Sequence, residues 1–285
     1  MERSSKINER NNNKGVFNKM IKPFTLVAVP FKGKPEFVLE FCQSLIRSYA
    51  SGFSYMVILF DDGSKPEEVE YIYNTLKNMK CPYSVVANSN NVGYTRKVYD
   101  IFEYAKSQTD FTHVLLANSD IKLNPQTFET IIKKSISNEN IAAVGGKILD
   151  YNKGEVILHT GTRLENGEIV DPYCGLQRND PKTNYTERRL WVNGCFTMYN
   201  LKILRKENLN FNLDFSPAYF EEADLMTELN LKGYSVLYEP KAEIKHFVNG
   251  TMNEKRSENE AHFNRNWNKY LEKWKPYFNS PKLRF

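Results

Sequence analysis

The sequence predicts an α/β fold built on a largely parallel sheet with helices on its faces. Short apolar runs alternate with segments whose apolar residues recur at helical spacing, the pattern of right-handed βαβ units. One run, Val114-Leu115-Leu116-Ala117, is apolar at every position, as expected of a strand buried on both faces. Three successive runs end in polar, loop-forming clusters: Asp61-Asp62-Gly63-Ser64, Asn88 to Gly93, and Asn118-Ser119-Asp120. In a parallel sheet these clusters share the carboxyl edge, where open α/β sheets bind ligands.

Thr25 to Val29 is the first strand, ended by Pro30. Pro35 then opens a helix with Phe37, Val38, Phe41, Leu45 and Ile46 at helical spacing. Tyr55 to Phe60 is the second strand, and Pro66 opens a helix carrying Val69, Ile72, Tyr73 and Leu76. Tyr83 to Ala87 is the third, followed by a helix with Val98, Ile101, Phe102 and Ala105. After the Val114 strand, Phe128, Ile131, Ile132 and Ile136 mark a helix that leads to a strand at Ile141 to Val144.

The texture changes beyond Gly146. Val156 to Leu158, the Asn166-Gly167 turn and Ile169-Val170 predict a hairpin, and residues 171–189 a long polar loop. Trp191 to Phe196 is apolar around Gly194. Phe220-Glu221-Glu222-Ala223-Asp224-Leu225 opens an acidic helix that runs to Gly233. Ser235 to Tyr238 and Ala242 to Ile244 read as two strands, the second leading to His246, and from about residue 254 the chain is a charged, aromatic helix.

A chain of 285 residues, 41% hydrophobic, supplies a full core for one large domain or two small ones. No apolar run approaches the roughly 20 residues of a membrane span. Residues 1–22 are polar and Asn-rich without an apolar stretch, which predicts a disordered tail and no secretory signal. Cys42, Cys81, Cys174 and Cys195 are scattered, as expected of free thiols in a reducing cytosol. The net charge of +5 sits at the ends, leaving a mildly acidic middle, which argues against a basic nucleic-acid groove.

The P-loop, GxGxxG and HExxH patterns are absent, and no serine sits in a nucleophile elbow. The chemistry therefore falls to acids. Asp61 and Asp62 suit hydrogen bonds to a base or ribose, although an Asp-Gly-Ser turn accounts for them equally well. Asn118-Ser119-Asp120 offers the oxygen ligands that Mg²⁺ shares with substrate phosphates, and is also a turn by composition. Glu221, Glu222 and Asp224 also suit a helix start through the macrodipole. His246 follows a strand and reads as a ligand or as a structural residue, while His113 and His159 read as structural.

Taken in order, these motifs, with Asn91-Val92-Gly93 and Trp191-Val192-Asn193-Gly194 among them, resemble the family-two glycosyltransferases of GT-A fold. Within that family they look most like the rhamnosyltransferase and galactofuranosyltransferase-like branch, and the resemblance covers about residues 23–250. It implies a Rossmann-like, mostly parallel sheet flanked by helices, a catalytic domain at 23–250 and a C-terminal helical extension at 251–285. Pro30, Asp61, Asp62, Asn91, Gly93, Asn118 and Ser119 would bind the nucleotide-sugar donor. Asp120 would hold a divalent metal, Mn²⁺ or Mg²⁺, with His246 completing its shell. Glu222 would be the base, beside Glu221. Trp191, Asn193, Gly194 and Asp224 would line the donor-sugar and acceptor region.

The implied reaction is inverting transfer from a dTDP- or UDP-sugar to a hydroxyl of a glycan or lipid-linked glycan. The implied setting is cytoplasmic, for polysaccharide biosynthesis, with the inner membrane surface as one version of it. As base, Glu222 would need no shift from an ordinary glutamate pKa of about 4.3. Three residues depart from the family pattern: Asn118 replaces the first Asp of the DXD motif, Val98 stands where relatives place a polar residue, and Glu222 stands where Asp is more usual.

Two other readings stay open. A sugar-phosphate nucleotidyltransferase would want a Gly- and Arg-rich signature that Phe31-Lys32-Gly33-Lys34-Pro35 matches poorly. A catalytically dead, glycan-binding relative is motivated by Asn118. Phe263, Trp267, Tyr270, Trp274 and Tyr277 form one aromatic face on the last helix, which either packs on the catalytic domain or makes a peripheral contact with an anionic membrane.

Overall fold

The computed structural model describes residues 24–48, 50–79, 83–247 and 256–285. The expected tail at 1–22, Cys81 and the proposed domain boundary near 250 lie outside the described residues. A single large sheet forms the centre. Its first half is parallel, in the order β3 (Tyr83–Val86), β2 (Ser54–Asp61), β1 (Phe24–Phe31), β4 (His113–Ala117). Next comes β11 (Phe196–Asn200), antiparallel to β4, and then β6 (Ile141–Asp150), antiparallel to β11. The sheet is completed by β12 (Ser235–His246), parallel to β6, and β10 (Glu187–Arg188), antiparallel to β12. The chain begins in the middle of the parallel set and changes direction between β1 and β4, so the carboxyl ends of β1 to β4 open a crevice there.

The alternating side chains of β4 explain its unbroken apolar run. Val114 and Leu116 enter a core with Val98, Ile101 and Phe102 of α3 (Tyr94–Ser107) and with residues of α5 (Leu201–Glu207) and α6 (Glu221–Leu231). Leu115 and Ala117 face a second core. That core is built with α1 (Pro35–Arg47), α2 (Pro66–Leu76) and α4 (Thr127–Ser135). With helices on both faces, the strand has no face for polar residues.

Four sequence expectations change. Pro30 lies inside β1 rather than ending it, because pairing with β4 stops at Ala28–Leu116 and leaves no partner on that side for a backbone N–H that proline lacks. The Asn166-Gly167 turn joins β8 (Arg163–Glu165) to β9 (Glu168–Val170), whereas β7 (Ile157–His159) pairs with β6. Residues 171–189 contribute β10 to the sheet edge. The two strands expected at 235–244 are one, β12, with a register shift between Glu239 and Glu243. There the Ala242 carbonyl comes so close to β6 that a Cβ on Gly146 would lie 2.0 Å from its oxygen.

The last helix, α7 (Arg256–Trp274), uses its aromatic face inside the molecule. Tyr270 and Trp274 are buried in the α6 core, and Trp267 stacks beside Tyr270 and against Phe220. Phe263 packs on Tyr219 and Phe220 although it remains partly exposed. This is the packing alternative, and it leaves the membrane contact without support. Among the described residues no helix is long and apolar enough to cross a membrane.

Leu115 is fully buried in the central strand. Leu115→Ala should cost about 2–5 kcal/mol in urea unfolding, with an unchanged denaturant slope. A loss below 1 kcal/mol would show that this strand does not carry the core.

Candidate functional site

The carboxyl edge is organised by Asp61. Its buried carboxylate accepts hydrogen bonds from Ser64 N (2.9 Å) and Ser64 Oγ (2.5 Å), and from Asn88 N (3.2 Å) in the loop after the neighbouring β3. Ser64 Oγ in turn accepts from Gly33 N at 2.7 Å, so the loops after β1, β2 and β3 are tied together. Asp62 accepts from Val92 N at 2.9 Å, and Lys97 Nζ lies 3.5 Å from the same oxygen. Gly63, at φ +83°, allows this closeness, since a Cβ there would lie 2.7 Å from Asn91 N. Asn91 Oδ1 accepts from Gly93 N at 2.9 Å, which shapes the turn into α3.

Asn118-Ser119-Asp120 links β4 to β5 (Ile121–Leu123), which pairs antiparallel with the end of β12. That pairing sets His246 opposite Ile121, and His246 Nε2 lies 3.3 Å from Asp120 Oδ1. Phe247 N donates to the Asp120 carbonyl at 3.0 Å and fixes the strand end. Asn118 N donates to the Cys195 carbonyl (2.8 Å), and Asn118 Oδ1 accepts from the Tyr94 hydroxyl (3.2 Å).

The three acids of α6 separate. Glu221 is 3% exposed and accepts from Thr95 Oγ1 of α3 at 3.2 Å. Glu222 turns to Gly194, whose backbone N–H hydrogen-bonds its carboxylate, and its Oε2 is buried with no hydrogen-bond partner among the described residues. Asp224 faces the other way and accepts from Trp274 Nε1 (2.7 Å) and Lys273 Nζ (3.0 Å) of α7. Asp224, expected to line the sugar region, is thus held by the last helix. Trp191 differs from expectation in the same way: it is 7% exposed and packs edge-on against Tyr270, inside the core. Asn193 accepts from Cys195 N at 2.9 Å and so shapes the turn that presents Gly194.

The electrostatics mark a shared chamber. Burial, then the neighbouring Glu222, push the Glu221 carboxyl well above its ordinary value, and burial also raises Glu222. Both carboxyls are biased toward their protonated forms, and titration of one is linked to the other. Glu222 thus departs from the ordinary glutamate value that the sequence suggested. Burial, helped by both glutamates, keeps the Tyr94 and Tyr199 hydroxyls protonated. The Cys195 thiol is pushed well up by burial, then by the charges of Asp120 and Glu222.

Sequence reasoning missed Tyr94, Thr95, Lys97 and Tyr199. The only signal for the first two was their place directly after Asn91-Val92-Gly93. The first turn of α3 touches the Asn91 loop, Asn118 and Glu221 at once.

The sequence matches the family described as Glycosyl transferase family 2 over residues 26–209. The chain belongs to this family. Its membership sets aside the nucleotidyltransferase reading. No curated protein matches the sequence. Among solved structures, the family 2 chain is similar to GalNAc-T7 with UDP, GalNAc and Mn²⁺, at TM-score 0.67 and 11% identity. That match covers 90% of this chain and 49% of the other, so the chain spans about half the length of that protein. It is also similar to the mannosyltransferase PcManGT from Pyrobaculum calidifontis in complex with GDP-Man and Mn²⁺, at TM-score 0.57 and 12% identity, covering 92% and 71% of the two chains. At these identities the likeness shows the GT-A fold.

A carboxyl with a higher pKa folded than unfolded binds more proton in the folded chain, so stability is lost as pH rises through the folded value. Stability should therefore fall with pH above the ordinary carboxyl value of 4.5. Glu221→Gln should flatten that decline and raise the melting temperature at neutral and higher pH. Parallel wild-type and variant profiles of melting temperature against pH would contradict the raised Glu221 carboxyl.

Proposed function

We propose that this family 2 chain is an inverting glycosyltransferase that moves a sugar from a nucleoside-diphosphate donor to an acceptor hydroxyl. The observation that carries this reading is the close pair of Asp120 and His246 at the carboxyl edge, with the charges of Asp120 and Glu222 both acting on the buried Cys195 thiol, beside the tied loops of Asp61 and Asp62. The donor set fits a hard divalent cation, Mn²⁺ or Mg²⁺. Asp120 and His246 would supply two ligands, and the rest of such an ion's shell would be substrate phosphates and water. A cation held there would offset the charge of the departing diphosphate.

The chain's own residues do the rest. Asp61 and Asp62 close the pocket in which Pro30, Asn91, Gly93, Asn118 and Ser119 would receive the nucleotide. Glu222 takes the proton of the acceptor hydroxyl as that oxygen bonds to the anomeric carbon and the bond to the diphosphate breaks. Glu221, whose carboxyl burial biases toward the protonated form, limits the negative charge around its neighbour. A single displacement inverts the anomeric carbon.

The finer assignments follow from the sequence resemblance: a dTDP- or UDP-linked donor, rhamnosyl or galactofuranosyl in type, and a glycan or lipid-linked glycan acceptor in cytoplasmic polysaccharide synthesis. UDP and GDP-Man in the two similar structures support a nucleotide-sugar donor in general. The glycan-binding alternative keeps its one motive, an Asn118 whose amide oxygen is engaged by Tyr94.

Hydrolysis and transfer should be measured across nucleotide sugars with and without Mn²⁺. Turnover that needs both one donor and the cation is expected, and silence with every donor favours the binding protein. Asp120→Ala and His246→Ala should each weaken activity at limiting Mn²⁺. Glu222→Gln should lower transfer by roughly 10²–10⁴ while donor binding is kept. Normal transfer by Glu222→Gln with a dead Glu221→Gln would move the base to Glu221. Normal transfer by both would remove the acidic helix from the mechanism.

A further inference from the structure

The entrance to α6 is held from outside. Tyr219 and Phe220 precede the helix at φ +80° and +69°, conformations that residues with a Cβ rarely adopt and that persist only where the surroundings impose them. Among the described residues no side chain caps the helix start. The grip comes from α7. Asn266, 0% exposed, donates Nδ2–H bonds to the carbonyls of Phe215 (2.6 Å), Ala218 (2.8 Å) and Tyr219 (3.2 Å). An amide has two such hydrogens, so this donor is fully engaged. Arg265 donates to the Ser216 carbonyl and Lys269 to the Asp214 carbonyl. Further along, the Tyr270 hydroxyl meets Thr227 Oγ1 at 2.7 Å, and Lys273 and Trp274 hold Asp224.

The gripped segment also touches the donor side. Thr95 N donates to the Pro217 carbonyl at 2.9 Å, and Gly93 lies so close that an added Cβ would sit 3.2 Å from Pro217 Cβ. One stretch, 214–220, thus connects the turn after Asn91, the acid pair and α7. The later contacts of α7 act on the body of α6 and would keep the helix docked by themselves. Asn266 differs in that all its donation goes to the entrance, two residues before Glu221.

Resting on the assignment of Glu222 as base, we propose that Asn266 is a positioning residue for sugar transfer: it holds the carbonyls of 215–219, fixes the left-handed entry to α6, and so aims Glu222 at the acceptor. In this arrangement α7 is part of the catalytic apparatus although it supplies no group to the substrate.

The test uses the full chain with Asn266→Ala, and with Asn266→Asp, which keeps the shape but sets an acceptor against three carbonyls and serves if the alanine variant does not fold. Amide hydrogen exchange is read first, because it does not need activity. Exchange across 215–222 should rise by about tenfold while β1 and β4 are unchanged. Unchanged exchange there would overturn the proposal. Kinetics are read with the nucleotide sugar and Mn²⁺ that support turnover. The kcat should fall by about 10- to 100-fold with donor KM within about twofold, as for a misaimed reacting group. Adding Asn266→Ala to Glu222→Gln should cause little further loss, whereas a full multiplied loss would mean that Asn266 does not act through Glu222. If no nucleotide sugar is turned over, the functional reading fails by itself, and the exchange data still decide whether Asn266 holds the helix entrance.

Discussion

The site depends on a carboxylate taken out of water and satisfied by hydrogen bonds alone. Asp61 ends the second strand, where a charge without partners would be costly. It instead accepts from the loop that follows it and from the loop after the third strand, and through Ser64 it reaches the loop after the first. Three crossovers that are separate in sequence become one rigid edge. The crevice keeps its shape because each loop's backbone donors are already committed to the next loop.

Beside that edge, helix geometry and packing separate three neighbouring acids. Successive residues of a helix point about 100° apart, which turns Glu222 away from Glu221, whereas Glu221 and Asp224, three apart, lie on neighbouring faces and are separated by the elements they meet. Glu221 meets α3, Glu222 meets the Gly194 turn, and Asp224 meets α7. The different partners give different chemistry. Burial beside another carboxyl raises the Glu221 pKa, while Asp224 lies between a lysine and an indole N–H as a docking point. Glu222 keeps one buried oxygen that has no hydrogen-bond partner among the described residues.

The sequence alone determined the alternating strands and helices, the carboxyl-edge clusters and the family, because these follow from local periodicity and from short motifs next to strand ends. It placed Asp61, Asp62, Asn118, Asp120 and the acid pair on the correct elements. The hydrophobic run of β4 was legible because a strand covered on both faces must be apolar at every position.

Only the tertiary structure decided which acid faces which partner. It inserted the antiparallel β11 between β4 and β6, joined the two expected strands into β12, and set Trp191 and Asp224 against α7. It also revealed Tyr94, Thr95 and Asn266, whose hydrogen bonds span 24 to 126 positions of sequence. Such contacts leave no periodic trace in the chain. They depend on where packing brings distant backbones together, and a sequence read locally contains the residues of those contacts but not their distances.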